Sequence, residues 1–206
     1  GDVRTMPSSP VSASVLSTTH RVSHLDAMLD AFEAAREDAE YMVGWIDHFG
    51  KDAALGRGVF SASMHMDASE GGADVSHFKL RQSRLSIPFT LPRITLNKYS
   101  MGLYNALRFR RFKETPTQHV EHFDAFFHPL DSLAHWPRLY GKRGFLQYQF
   151  LIPESENHRN QLKEILRDIQ FADMFSYLAV IKYHGPSEGL LTFSQPGYSV
   201  ALDFPN

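Results

Sequence analysis

Apolar and polar residues alternate with the period of a β-strand in some segments of this chain and recur with the period of an α-helix in others. The same order of strand and helix segments occurs twice. In the first copy, Val11–Val22 is rich in Val, Ser and Thr, as strands are. A stripe of apolar residues at helical spacing follows, formed by Leu25, Met28, Leu29, Phe32 and Ala35. Ser23 stands three residues before Asp26, which predicts a helix N-cap at Ser23. Strand candidates then occupy Tyr41–Ile46 and residues 58–66.

The second copy lies near the other end of the chain. Residues 145–152 alternate as a strand, and residues 154–170 read as a helix with acidic residues at its start. Its apolar face is formed by Leu162, Ile165, Leu166 and Ile169. Strands follow at 175–183 and 199–204. A duplicated β-α-β-β unit predicts an α+β sandwich of ferredoxin-like type, a mainly antiparallel sheet with helices on one face.

These periods predict one domain over residues 1–206. The first β-α-β-β unit occupies about 11–66, a central insertion 67–144, and the second unit about 145–204. The insertion contains a short helix near 101–112 and an aromatic, His-rich stretch at 119–128. Inserted segments of this kind often carry function on a rigid scaffold.

Composition narrows the class of protein. The 206 residues are 43% apolar and 13% aromatic, enough for a packed core, which excludes a disordered chain. A formal charge of −2 argues against a nucleic-acid binder. The absence of cysteine excludes disulfides, thiol catalysis and Cys-ligated metals. No apolar run approaches the ~18 residues of a membrane span.

Two local patterns resemble catalytic or metal motifs. Residues 185–189 match G-x-S-x-G, but no helical stripe follows, so a tight turn is predicted instead of a nucleophile elbow. If 119–128 is a strand, His122, Asp124 and His128 share one face. Because no standard spacing of metal ligands is matched, no metal site is predicted.

The basic residues concentrate in one stretch, with no acidic residue between its first and last member. These residues are Lys98, Arg108, Arg110, Arg111 and Lys113. Aromatic residues lie between them, which makes the stretch amphipathic. Two interpretations stay open: a solvated helix face, or a site for a phosphate or an anionic membrane surface.

Polar residues also occur inside the strands of the second unit. Strand alternation places Gln147 and Gln149 on one face and Tyr148 on the other. Neighbouring amides are costly to bury without partners, so they form either a satisfied network or a polar ligand wall. Lys182 ends an apolar run, where it is either a snorkelling edge residue or a buried cation with an altered pKa.

A family resemblance extends from about Tyr41 to the end of the chain. It rests on Phe126-Phe127-His128-Pro129-Leu130-Asp131, Tyr140-Gly141, Gly144-Phe145-Leu146-Gln147-Tyr148-Gln149-Phe150, Lys182 with His184-Gly185-Pro186, Pro196-Gly197-Tyr198 and Leu202-Asp203-Phe204-Pro205. These motifs resemble the substrate domain of FAD-linked oxidases of the vanillyl-alcohol-oxidase type. The resemblance implies that this chain is a cap domain, which closes over FAD. The FAD would be held mainly by a separate domain of the same parent protein, and this chain lacks that domain.

The resemblance also implies site residues. Lys182 would be catalytic and would lie near the flavin ring. The substrate-binding residues would be Trp45, Phe127, His128, Gln147, Gln149, Ser199 and Ala201. Phe127 replaces a tyrosine of the family, Ser199 an asparagine and Ala201 a cysteine of some members, so the substrate is expected to differ from theirs.

The function implied is that of the substrate-binding domain of a FAD-dependent oxidoreductase. The parent protein would oxidise an alcohol carbon of a sugar or polyprenyl-phosphoryl sugar in cell-wall sugar metabolism, and the isolated chain would be inactive. The parent is expected in the cytoplasm or peripherally at the inner membrane, without nucleic-acid partners. The alternative is a stand-alone α+β ligand-binding module with no flavin chemistry.

Overall fold

The computed structural model describes residues 11–67, 85–90, 92, 96–127, 133–186 and 195–206. Its strands are β1 Val11–Val22, β2 Tyr41–Ile46, β3 Gly58–Asp67, β4 Leu85–Ser86, β5 Thr117–His122, β6 Leu133–Ala134, β7 Phe145–Pro153, β8 Leu178–His184 and β9 Gly197–Pro205. Its α-helices are α1 Leu25–Ala35, α2 Lys98–Arg111, α3 Phe123–Phe127 and α4 His158–Phe171. Short 3-10 turns occupy Asp52–Ala54 and Trp136–Tyr140.

A seven-stranded antiparallel sheet organises the chain, in the order β5-β1-β3-β2-β8-β9-β7. The unit β1-α1-β2-β3 and the unit β7-α4-β8-β9 have the same topology and join edge to edge between β2 and β8. The duplicated α+β fold predicted from the sequence is therefore confirmed. The seventh strand, β5, comes from the central segment and extends the sheet beyond β1.

The two repeat helices, α1 and α4, pack on one face of the sheet, here called the helical face. Arg159 of α4 joins the helices by ion pairs to Asp30 and Glu33 of α1, each at 2.7 Å. Both apolar stripes predicted from the sequence point into this core. Its fully buried members include Leu25, Met28, Leu29, Phe32, Leu162, Leu166, Ile181, Tyr198, Val200 and Leu202.

The opposite side, here called the polar face, carries the alternate residues of the same strands. In its first half, paired hydroxyls cross neighbouring strands: Ser17 lies 2.6 Å from Ser63 across β1 and β3. Helix α2 covers the part of this half around Trp45, since the Arg108 guanidinium lies 4.7 Å from the ring centre of Trp45 and Asn105 is buried. The central segment thus contributes a layer on the face opposite the repeat helices.

Two predicted helix starts are wrong. The N-cap of α1 is His24, not Ser23, because the His24 Nδ1 accepts the backbone N–H of Ala27 at 3.1 Å. Helix α4 begins at His158 instead of residue 154. Glu154 lies in the preceding turn, where its carboxylate accepts a hydrogen bond from Arg36 at 2.8 Å.

The strand considered for residues 119–128 is present only as far as His122. Strand β5 ends at His122, and α3 begins at Phe123. Because the backbone changes period there, His122 and Asp124 do not continue one strand face, while His128 lies outside the described residues. The G-x-S-x-G pattern also extends beyond the described residues after Pro186.

Candidate functional site

Six of the residues predicted for the site lie on the polar face, in adjacent rows across four strands. They are Trp45, Gln147, Gln149, Lys182, Ser199 and Ala201. One row runs from Trp45 through Val180 and Ala201 to Gln149, each residue opposite the next. Lys182 lies opposite Ser199 in the row beside it. The β2–β8 junction therefore brings residues from both repeats onto one surface.

Gln147 is oriented by a buried carboxyl. Its Nε2 donates to the Oδ1 of Asp203 at 2.8 Å, and the two residues lie opposite each other on β7 and β9. Burial raises the pKa of Asp203, and the hydrogen bond from Gln147 acts against that rise. Asp203 was not predicted as a site residue, although it shares the alternation of Ser199 and Ala201 along β9. A buried carboxyl beside exposed amides is a typical feature of a binding site.

Lys182 and His184 project from the polar face two residues apart on β8. Lys182 is exposed, so it is not a buried cation, although its strand β8 is an interior strand between β2 and β9 and not the edge strand considered from the sequence. A 2.7 Å hydrogen bond joins the Nε2 of His184 to the Oγ of the buried Ser199. Burial lowers the pKa of His184, and the charge of Lys182 lowers it further, so the imidazole stays neutral near pH 7. This pair was missed because strand pairing, not local sequence, brings it together.

Helix α2 forms one side of the site around Trp45. The Trp45 side chain is buried, and the Arg108 guanidinium lies over its ring in cation–π geometry. One turn earlier on α2, Asn105 is buried, and neither polar atom of its amide has a hydrogen-bond partner among the described residues. Unpartnered buried amides are uncommon in folded proteins and often mark a functional position.

Aromatic residues close the end of the polar face nearest Asp203. The rings of Tyr140 and Phe145 lie 4.7 Å apart, and Tyr177 stacks on Tyr140 at 6.3 Å. Burial, followed by the charges of Asp203 and Tyr177, raises the pKa of Tyr140 well above its usual range. A cavity of about 420 Å³ lies beside this cluster. It is lined by Thr90, Pro92, Leu96, Tyr140, Gly141, Lys142, Arg143, Pro205 and Asn206.

The remaining predicted site residues lie at the edge of the described chain. The side chain of Phe127 and all of His128 are outside the described residues. Their neighbour Phe126 lies 6.4 Å from the ring of Tyr41, so α3 approaches the polar face. Within the described ranges, no three His, Asp or Glu side chains are grouped as a metal site requires. None of the helices described here has the length and apolar content of a membrane-spanning segment.

Comparison with known proteins identifies the chain as a homologue of part of an oxidase. That relative is the decaprenylphosphoryl-β-D-ribose oxidase of Mycolicibacterium smegmatis, to which 182 residues are 34% identical. The match covers 85% of this chain but spans only 39% of the relative's length. No protein-family model matches the chain. The resemblance inferred from the motifs is thereby confirmed at the level of a homologous oxidase.

Proposed function

We propose that this chain is the substrate-binding cap domain of a FAD-dependent oxidoreductase that oxidises an alcohol carbon of a polyprenyl-phosphoryl sugar or a related sugar. Besides the sugar substrate, the chain would then have a second partner, a FAD-binding domain of the same parent protein. The observation that carries the proposal is the arrangement of Gln147, Gln149 and Lys182 as exposed polar side chains on one surface. Homology to part of an oxidase of a polyprenyl-linked ribose supports the same substrate class.

The groups on the polar face fit a flavin as the neighbouring group. An exposed ammonium such as that of Lys182 suits a ring that becomes electron-rich, and exposed amides suit a polyhydroxylated substrate. The flavin, when bound, supplies the redox chemistry by accepting a hydride from the alcohol carbon. The contribution of this chain is to position the sugar and to stabilise charge.

The amides would orient the sugar hydroxyls. Because the Nε2 of Gln147 already donates to Asp203, its carbonyl oxygen is directed by that hydrogen bond and can accept from a hydroxyl. Gln149, one row along the same strand, can both donate and accept. Such contacts bind ground state and transition state alike, so they act mainly on KM.

Lys182 would stabilise the negative charge that develops on the alcohol oxygen as its proton passes to solvent water. It is exposed and forms no ion pair with any acid in the described part of the chain, which leaves its ammonium available. The hydrogen-bonded side chains of His184 and Ser199 lie beside it on the polar face. An interaction that strengthens in the transition state acts on kcat.

The test uses the complete parent protein, purified with its bound flavin. Anaerobic addition of polyprenyl-phosphoryl sugars, with decaprenylphosphoryl-β-D-ribose as one of them, should identify a sugar that bleaches the flavin absorbance. Lys182→Met keeps the length of the side chain and should lower kcat roughly 10²–10³-fold with little change in Tm, because Lys182 is exposed. Gln149→Leu should mostly raise KM. Arg167→Met, which replaces an exposed cation of α4 on the helical face, serves as the control.

The outcomes separate the function from the site. A parent protein without flavin, or a flavin that no sugar reduces, would overturn the proposed function and favour the stand-alone ligand-binding module. If the flavin is reduced but Lys182→Met turns over like Arg167→Met, the function stands and the role of Lys182 is wrong. If Gln149→Leu lowers kcat and leaves KM unchanged, the amide acts in the transition state instead of in binding.

A further inference from the structure

The outer side of α2 exposes large apolar residues that nothing in the described structure covers. Tyr99, Leu103 and Leu107 follow one another at four-residue spacing and are 79%, 64% and 53% exposed. Tyr104 lies beside them and is also largely exposed. These four residues are called the α2 patch. Exposed apolar side chains occur singly on most proteins, but a contiguous group along one helix indicates an interaction surface.

The opposite side of the same helix is already committed to the fold. Asn105 is buried, Arg108 lies on Trp45, and the ring of Phe109 lies near the guanidinium groups of Arg21 and Arg57 at 5.3 and 5.1 Å. Helix α2 therefore cannot turn its apolar patch inward without losing these contacts. The patch is fixed in an outward orientation.

Free cations flank the patch. Arg110, Arg111 and Lys113 are exposed at the end of α2, and none of them is paired with an acid in the described residues. Lys98 at the start of the helix pairs with Asp173 at 3.0 Å. That ion pair places the start of α2 next to the turn after α4, where Phe171 and Met174 are also exposed. The surface therefore combines apolar residues with uncompensated positive charge.

We propose that the α2 patch docks on an anionic lipid surface. A helix lying in the membrane interface presents Leu and Tyr to the boundary between headgroups and acyl chains and uses Arg and Lys to attract anionic headgroups. The α2 patch and its flanking cations have this composition, and no acid between Lys98 and Lys113 opposes it. Charge complementarity therefore favours an anionic lipid surface, since an apolar protein partner would desolvate these cations without pairing them.

This docking gives the proposed function a physical route to its substrate, but it does not depend on that function. The homologous oxidase is named for a substrate with a decaprenyl chain, and long apolar chains partition from water into lipid. Because one side of α2 contacts Trp45 and the other would contact lipid, the helix would hold the polar face close to the membrane interface. The experiment below measures lipid binding alone, so its result is independent of flavin and of turnover.

The experiment is flotation of the 206-residue chain with vesicles of phosphatidylcholine, with and without one third phosphatidylglycerol. Binding should require phosphatidylglycerol and should weaken as salt is added, because salt screens the contacts of surface cations. Replacing Arg110, Arg111 and Lys113 together by Gln should weaken binding about 100-fold. Replacing Leu103 and Leu107 by Asn should weaken it by a similar factor, since less apolar surface enters the interface.

Matched controls remove the same kinds of group from elsewhere on the surface. Gln replaces Lys142, Arg143 and Arg167, three exposed cations off α2, and Asn replaces Leu146 and Tyr148, two exposed apolar residues of β7. Both control variants should bind vesicles like the unmodified chain. Circular dichroism and Tm measurements establish whether each variant is folded. We expect all of them to be folded, because the replaced side chains are exposed.

Several results would overturn the proposal. The first is absence of binding to phosphatidylglycerol vesicles, and the second is equal loss in the α2 and control variants. A third is that the chain self-associates but does not bind lipid, and that the Leu103→Asn, Leu107→Asn variant no longer self-associates. The α2 patch would then be an interface between copies of the protein. A fourth is binding by this chain but not by the complete parent protein, which would mean that another part of the parent covers the patch.

Discussion

Two ion pairs of similar geometry should contribute differently to the free energy of unfolding, because the carboxylate is buried in one pair and exposed in the other. Arg57 pairs with Asp47 and Arg21 pairs with Glu114, both at 2.7 Å. The two arginine side chains are 26% and 27% exposed, and both guanidinium groups lie near the ring of Phe109. Asp47, however, is fully buried, whereas Glu114 is 78% exposed. The pairs therefore differ mainly in the solvation of the acid.

The expected cost of losing each arginine follows from that difference. Arg57→Met removes two hydrogen bonds to the Oδ2 of Asp47 and leaves a buried carboxylate with one donor, the backbone N–H of Phe49 at 3.1 Å. Such a loss should cost about 3 kcal/mol, the low end for a broken buried pair, because the partly exposed arginine admits some water. Arg21→Met leaves Glu114 in water and should cost at most about 1 kcal/mol.

Urea unfolding of the purified chain measures both values. In thermal unfolding, Arg57→Met should lower Tm by about 6–12 °C for a domain of this size, and Arg21→Met by about 0–4 °C. Adding Asp47→Asn to Arg57→Met should recover part of the loss, since the buried charge is then gone. Equal costs for the two arginines, or no recovery in the double variant, would refute the argument that burial of Asp47 controls the result.

Three further predictions concern the core, pH and the cofactor. Gly44→Ala should cost about 1–3 kcal/mol in urea unfolding, because its Cβ would lie 2.6 Å from Ile181 and 2.7 Å from Met28; an unchanged midpoint would contradict the close packing. Burial lowers the pKa of His48 to about 4, whereas in the unfolded chain it is about 6.5. Between these pH values the unfolded chain binds a proton at His48 that the folded chain does not, so the free energy of unfolding should fall as the pH drops from about 6.5 to 4. His48→Asn, which keeps an acceptor for the Ser176 N–H, should flatten this dependence, and an equally steep fall would assign it to other groups. The isolated chain should emerge colourless from gel filtration with FAD, since it offers one wall of the proposed flavin site; a retained flavin band would refute the cap assignment.

The helices and strands of the two repeats could be predicted because each has a regular period. The stripes led by Leu25 and Leu162 face the core, and the alternation of Gln147 and Gln149 gives their common face. Boundaries were less predictable, because they depend on single hydrogen bonds. The His24 imidazole caps α1 where Ser23 matched the usual pattern, and Glu154 pairs with Arg36 instead of starting α4.

The site was only partly predictable, because its contacts join distant parts of the chain. The Gln147–Asp203 and His184–Ser199 hydrogen bonds depend on the register of β7, β8 and β9, which no local pattern specifies. The burial of Asn105 also depends on tertiary contacts, since α2 carries exposed apolar residues on its outer side and a buried amide on its inner side. Local amphipathicity therefore gave no information about which side of α2 packs on the sheet.

The two repeats share a topology but differ in how their polar faces are completed, and this difference locates the proposed site. In the first repeat, hydroxyls satisfy one another in pairs, as Thr19 and Ser61 do at 3.0 Å. In the second repeat, Gln149 and Lys182 stay exposed. Because buried polar groups need partners within the protein, hydroxyls that pair with one another need no ligand. The exposed half keeps donors and acceptors for a ligand, so a site is expected there and at its border with α2.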